Sequence, residues 1–119
     1  MKQYHIEFAY YRPVGEHTKK GKGRPPQSLL HRVVRKNADK AITLHLSPYG
    51  GMCVARVYNR DALIGAGSSY CSMSDRFVYK VGSKIASQRA LDMCIRDQPD
   101  EEFRQWCIQQ KILLSKTTG

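Results

Sequence analysis

The spacing of the apolar residues changes near residue 75, and no other feature constrains the fold of this chain as strongly. Residues 3–11 alternate between apolar and polar, a period of two that is typical of a half-buried β-strand. His5 and Glu7 are predicted to point to one side of this strand, and the other side would carry Tyr4, Ile6, Phe8 and Tyr10. The dipeptide Arg12-Pro13 is predicted to end the strand, because proline donates no hydrogen bond to a sheet.

Four further segments are predicted strands of a β-meander: residues 28–36, 42–46, 52–60 and 62–71. The first of them also fits a helix, but its pair Val33-Val34 and the turn signal at 37–39 favour a strand. The last contains Gly65 and Gly67, which indicate either a bulge or the close approach of another backbone.

After this meander the sequence becomes helical in character. Ser74 is a candidate N-cap, Asp75 suits the positive end of a helix dipole, and no proline follows until Pro99. A helix is therefore predicted from Asp75 to about Cys94, with a buried stripe that recurs every four residues: Phe77, Val81 and Ile85.

A second, shorter helix is predicted after Pro99, where three acidic residues can open it. One side of this helix would carry Phe103, Trp106, Cys107, Leu113 and Leu114. We therefore expect a single α+β domain over residues 1–119, in which an antiparallel sheet of four or five strands packs against the longer helix.

Basic residues are concentrated in the first half of the chain. The formal net charge is +10, and the stretch from Arg12 to Lys40, with nine Lys/Arg and two acids, carries +7 of it. Residues 61–119 carry only +1. Such segregated positive charge attracts polyanions, because each neutralised phosphate releases a counterion. The sequence therefore predicts nucleic acid or a nucleoprotein as the partner.

Two basic surfaces are predicted, an exposed loop at 12–27 and a helix ridge formed by Arg76, Lys80 and Lys84 at every fourth position. Ser83 and Ser87 lie beside this ridge in the predicted helix and could donate to phosphate oxygens. Tyr11 and Tyr49 are the candidates for stacking on bases. The full set of predicted anion-binding residues is Arg12, Lys19, Lys20, Lys22, Arg24, Arg32, Arg35, Lys36, Arg76, Lys80 and Lys84. An ordinary solvated surface is the alternative for both regions.

Catalysis and cofactor binding find little support. The four cysteines form no C-x-x-C and have no histidine at zinc-finger spacing, so they are predicted to be small buried hydrophobic residues. One disulfide or a mixed Cys/His metal site is the alternative. No catalytic residue, metal or cofactor is predicted. No apolar run reaches the roughly 20 residues that cross a bilayer, and the N-terminus lacks the apolar core of a signal peptide, so a cytosolic protein is expected.

The run from Cys71 to Leu91, about a fifth of the chain, resembles a pattern found in small uncharacterised phage and mobile-element proteins. In that pattern a strand ending in Cys is followed by Asp-x-Phe, then by Gly, Ile-Ala and Arg-Ala on a helix. The resemblance implies a viral or mobile-element accessory protein. Residues 54–91 also resemble the last strands and closing helix of the double-stranded-RNA-binding domain, although Asp75-Arg76-Phe77 replaces its Lys-rich helix start.

These observations favour a non-enzymatic protein that binds nucleic acid or a nucleoprotein through its basic surface. The alternative is an anti-defence protein, similar to anti-CRISPR inhibitors, that blocks a host nuclease or effector complex. Both functions would be exercised in the host cytosol and neither needs a membrane. A structural virion or assembly protein is a third possibility.

Overall fold

The computed structural model of the protein describes residues 3–13, 30–33 and 47–116, which form four strands followed by two helices. The elements are β1 (Tyr4–Pro13), β2 (Leu30–Val33), β3 (Tyr49–Asn59), β4 (Ala62–Arg76), α1 (Tyr79–Asp97) and α2 (Glu101–Ser115). The strands form one sheet in the order β2-β1-β3-β4, and all neighbours are antiparallel. Both helices pack on the same face of this sheet. The predicted α+β class is confirmed.

Most of the predicted strands are confirmed within the described residues. β1 matches the alternating segment and ends at Pro13, and β2 confirms the strand interpretation of residues 30–33. β3 and β4 form the predicted hairpin around Arg60-Asp61, and both are longer than the sequence suggested. The strand predicted at 42–46 lies outside the described residues. The chain places β1 between β2 and β3, a neighbour relation that the local sequence pattern did not specify.

The two faces of β1 follow the predicted alternation. Tyr4, Ile6 and Tyr10 pack against the core beneath the helices, whereas Phe8 points the same way but is 40% exposed. On the neighbouring strand β3 the residues that face the helices are fully buried: Cys53, Ala55 and Val57. Paired residues of an antiparallel sheet share a face, so these residues and their β1 partners define the helix-bearing face.

Helix α1 begins four residues later than predicted. The chain stays in β4 until Arg76, which pairs with Tyr49, so Asp75 belongs to the strand and not to a helix. Ser74 does not cap the helix, since its hydroxyl is hydrogen bonded to the hydroxyl of Ser72 at 3.0 Å. The N-cap residue is Val78, which has no capping side chain.

The predicted buried stripe of this helix is also wrong. Val81 and Ile85 are 44% and 36% exposed, and Phe77 precedes the helix. The buried side consists mostly of small residues: Ala86, Ser87, Ala90, Leu91 and Cys94. Small side chains are required there because α1 lies close to the backbone of β4.

Two glycines of β4 allow this close approach. A Cβ atom built on Gly67 would lie 2.5 Å from the backbone nitrogen of Ala90, and one on Gly65 would lie 2.6 Å from Cys94 Sγ. Both distances are shorter than real Cβ contacts: at position 67 only glycine fits without a shift of the helix backbone, and at position 65 a Cβ atom would displace the Cys94 thiol. The predicted close approach is confirmed, and the pairing of β3 with β4 also shifts register between Val57 and Tyr58.

Helix α2 starts as predicted after Pro99, with Asp100 as the N-cap. The Asp100 carboxylate accepts a hydrogen bond from the backbone N–H of Phe103 at 3.3 Å, and two glutamates occupy the first turn. Phe103 and Cys107 are buried, and Trp106 packs against the core. Leu114 also packs against the core, whereas Leu113, predicted on the same side, is 53% exposed.

The cysteines behave as buried hydrophobic residues at three of four positions. Cys53, Cys94 and Cys107 are at most 1% exposed, whereas Cys71 is half-buried, and all four are free thiols. Among the described residues, no helix is both long and apolar enough to span a membrane.

Candidate nucleic-acid interface

One row of side chains crosses all four strands on the face of the sheet that the helices leave open. Tyr11 of β1 pairs with Arg32 of β2 on one side and with Met52 of β3 on the other. Met52 in turn pairs with Tyr70 of β4. Because side chains alternate along a strand, Tyr11 points away from the core that holds Tyr10. We call this set the Tyr11 row: Arg32, Tyr11, Met52 and Tyr70.

A second row with aromatic side chains lies at the other end of the same face. His5 pairs with Tyr58, and their rings stack with centroids 5.1 Å apart and planes 9° apart. Leu63 pairs with Tyr58 from β4 and is 54% exposed. This set is the Tyr58 row: His5, Tyr58 and Leu63. Tyr58 lies six residues along β3 from Met52, so the two rows are about 20 Å apart at the usual rise per residue.

Two arginines on this face have no acidic partner among the described residues. No described carboxylate forms an ion pair with Arg32 or with Arg56, which lies between the two rows. Glu7 pairs with Arg56 across the strands, but its carboxylate is nearer to His5, with Oε1 3.8 Å from Nε2. Within the described part of the chain, neither guanidinium group is neutralised by an ion pair.

The basic segment of the sequence leaves and re-enters the sheet beside the Tyr11 row. Pro13 at the end of β1 pairs with Leu30 at the start of β2, so the chain on both sides of residues 14–29 is held at one end of the sheet. The predicted loop at 12–27 must be shortened, because Arg12 and Pro13 belong to β1. Six predicted anion-binding residues lie outside the described residues: Lys19, Lys20, Lys22, Arg24, Arg35 and Lys36.

Arg12 points to the helix-bearing face and is engaged in packing. Its guanidinium lies over the rings of Phe77 and Tyr79, at 5.3 and 5.6 Å from their centroids. Nη2 donates to the carbonyl of Ser47 at 2.8 Å, and Nη1 donates to the Tyr79 hydroxyl at 3.3 Å. Nε is buried without a hydrogen-bond partner. These contacts hold β1 against the start of α1, and we leave Arg12 out of the candidate interface.

The predicted helix ridge is not formed as a unit. Arg76 ends β4, with its guanidinium 5.7 Å from the ring centroid of Tyr49, while Lys80 and Lys84 are on α1. Helical spacing therefore does not relate Arg76 to the two lysines. The two serines beside the ridge are also used internally: Ser87 is buried, and the hydroxyl of Ser83 is 2.7 Å from that of Tyr10.

Of the two predicted stacking residues, only Tyr11 belongs to the open face. Tyr49 is half-buried at the start of β3 and holds the Arg76 guanidinium over its ring. His5, Arg56 and Tyr58 were not among the predicted site residues. Their signal was present in the alternation of β1 and β3, which assigns each of them to the side opposite the core residues. The alternation alone does not show that these residues are neighbours, because that depends on the register in which β1 pairs with β3.

Comparisons with family models, with curated proteins and with solved structures find no match to this chain.

Proposed function

We propose that this chain is a non-enzymatic protein that binds single-stranded nucleic acid across the open face of its sheet. The observation that carries the proposal is the Tyr11 row, in which an aromatic ring and the exposed Arg32 lie side by side on a face that neither helix covers. Aromatic rings beside basic groups are the usual means by which proteins bind unpaired bases.

The arrangement favours single strands over duplexes. Stacking on a tyrosine requires an unpaired base whose flat face is accessible, and a duplex buries those faces between its base pairs. A duplex would meet this face through its phosphates alone. Binding that depends on the tyrosines is therefore a property of single strands.

The separation of the two rows sets a length for the bound segment. At the 3.4 Å rise per nucleotide of a stacked strand, about seven nucleotides span the roughly 20 Å between the Tyr11 and Tyr58 rows, and an unstacked, extended strand needs fewer. Arg56 lies between the rows and can contact a phosphate of the intervening chain. Affinity should therefore rise with oligonucleotide length up to a limit of at most about seven nucleotides and more slowly beyond that.

The experiment is a fluorescence anisotropy titration at physiological salt with a labelled oligonucleotide, single-stranded or annealed to its complement. Tyr11→Ala and Tyr58→Ala should each weaken single-strand binding about 5- to 150-fold, since each stacked base contributes about 1–3 kcal/mol. Phe8→Ala is the matched control, because Phe8 is a partly exposed aromatic residue of β1 on the opposite face. Equal affinity for duplex and single strand, with no loss in either tyrosine variant, would contradict the proposal.

The contribution of the Arg56 charge to nucleic-acid binding is tested with a second matched pair of variants. Arg56→Gln should weaken binding and reduce its salt dependence by about one phosphate contact. Arg96→Gln removes the same charge from an exposed position at the end of α1 and should leave binding unchanged. An equal effect of both changes would indicate attraction by net charge without a defined site.

A further inference from the structure

A groove of about 240 Å³ opens between the end of β4 and the first half of α1. Its wall on the helix side carries Val78, Val81 and Ile85, which are 50%, 44% and 36% exposed. Its strand side includes Cys71. Exposed apolar side chains clustered beside a groove are characteristic of surfaces that a partner covers.

The serine hydroxyl and thiol groups of the groove are already hydrogen bonded within the protein. Ser69 Oγ donates to the carbonyl of Gly82 at 2.8 Å, and Cys71 Sγ lies 3.4 and 3.3 Å from the carbonyl oxygens of Asp75 and Arg76. Burial raises the pKa of the Cys71 thiol, so it remains neutral at pH 7. Sites for small polar ligands need groups that orient the ligand. This groove is suited instead to a large apolar side chain.

Charge selects the kind of partner that would supply this side chain. Residues 76–91 contain no Asp or Glu and four basic residues: Arg76, Lys80, Lys84 and Arg89. Asp75 is the single carboxylate among the residues that line the groove. A second copy of the chain would bring a further net charge of +10, and this repulsion opposes self-association. An acidic partner is attracted by the same charge.

We propose that the groove binds an acidic segment of a partner protein by enclosing one of its large apolar side chains. Within the described sheet β4 is an edge strand, so the partner segment can run alongside it. The edge is already occupied at Ser68, whose carbonyl accepts a hydrogen bond from Arg89 at 2.7 Å. Side-chain insertion, rather than a long added strand, is therefore the expected mode. The groove meets the Tyr11 row at Tyr70, which belongs to both, but its exposed apolar residues Val81 and Ile85 are not part of the nucleic-acid interface.

The test starts from a random peptide library displayed on phage and selected on the wild-type protein. Enriched peptides should combine acidic residues with a large apolar residue. Synthetic copies should bind the double variant Val81→Ser/Ile85→Ser at least about tenfold more weakly, a change of about 1.4 kcal/mol. The matched control is Ile112→Ser/Leu113→Ser, which removes two somewhat more exposed apolar residues from α2 and should change affinity by less than about twofold.

Three outcomes would overturn the proposal. In the first, the library yields either no enriched peptides or enriched peptides that are basic. In the second, the selected peptides bind both double variants equally. Sedimentation equilibrium gives the third outcome: a wild-type dimer that Val81→Ser/Ile85→Ser dissociates would assign the groove to a second copy. Replacing the acidic residues of a selected peptide by serine should weaken its binding and abolish its salt dependence. An anti-defence protein that blocks a host nuclease or effector complex, the alternative suggested by the sequence, would bind its target through this groove.

Discussion

The guanidinium of Arg12 donates a hydrogen bond to the hydroxyl of Tyr79 and lies over the same ring, which joins the first strand to the first turn of α1. The Tyr79 and Tyr10 rings also form a T-shaped contact, and the Tyr10 hydroxyl is hydrogen bonded to the Ser83 hydroxyl. A residue from the most basic stretch of the sequence thus serves the packing of sheet and helix. Its charge alone gave no indication of this role.

Arg12→Lys should lower the free energy of unfolding by about 1–3 kcal/mol, although the charge is unchanged. A lysine has no planar fork with which to reach both the Ser47 carbonyl and the Tyr79 hydroxyl while stacking on the rings. Urea denaturation of wild type and variant measures the loss. Arg32→Lys is the control, since Arg32 is exposed, and it should change stability by less than about 0.5 kcal/mol. Equal losses in both variants would contradict the assigned role.

The corrected orientation of α1 predicts opposite results at two apolar positions. Leu91→Ala should cost about 2–5 kcal/mol, because Leu91 is fully buried against the sheet. Val81→Ala should cost less than about 1 kcal/mol, because Val81 is 44% exposed. Thermal or urea unfolding distinguishes the two. A larger loss of stability in Val81→Ala than in Leu91→Ala would favour the orientation of α1 that the sequence predicted.

Gly67→Ala should destabilise the protein by at least about 1–3 kcal/mol, the usual cost of overpacking. The added methyl group would meet the backbone of α1 at Ala86 and Ala90, which cannot give way as a flexible side chain can. Ser68→Ala, which changes a side chain on the opposite face of the same strand, is the control and should have little effect. A neutral Gly67→Ala would indicate that α1 can move away from β4.

The sequence predicted the strands because their signal is local, and it failed where tertiary contacts decide the outcome. The alternation at Tyr4, Ile6 and Tyr10 was sufficient to place β1 and its buried face. The orientation of α1 was not accessible in this way. Val81 and Ile85 are more hydrophobic than Ala86 and Ala90, but the close approach of β4 at Gly67 admits only the small residues.

The candidate interface was predictable only in part for a related reason. Charge and composition pointed to a polyanion, and Tyr11 and Arg32 were among the predicted residues. Their adjacency depends on the pairing of β1 with β2, and the contribution of Tyr58 depends on the pairing of β1 with β3. Pairings between strands distant in sequence are set by the whole fold, so a pass along the chain could not supply them.

The buried thiol of Cys53 should make stability fall at alkaline pH. Burial raises its pKa in the folded protein, whereas in the unfolded chain a thiol ionises around pH 8.5. Above that pH the unfolded state binds fewer protons than the folded state, so the thiol's contribution is complete at lower pH and declines as pH rises. The stability difference between wild type and Cys53→Ala should shrink by up to about 1.4 kcal/mol per pH unit between pH 9 and 10. Val57→Ala is the control: it truncates a buried side chain that does not titrate, so the loss in free energy of unfolding should not change with pH.

The segment between Pro13 and Leu30 should supply much of the salt dependence of nucleic-acid binding. Lys19, Lys20, Lys22 and Arg24 place four cations within six residues, spaced by glycines. Each phosphate contact contributes about 0.7–0.9 to the slope of log affinity against log salt, so changing all four residues to alanine should flatten that slope by roughly three units.

The control for this change removes the same net charge from the two helices and the residue that follows α2: Arg96, Arg104, Lys111 and Lys116 to alanine. Because these residues lie on the side of the sheet away from the Tyr11 row, their removal should lower affinity slightly without a comparable change in slope. A salt titration of both quadruple variants decides the question. If the variant with all four residues changed keeps the wild-type slope, residues 19–24 do not contact phosphate, and the remaining candidates include Arg35, Lys36 and the open-face residues Arg32 and Arg56.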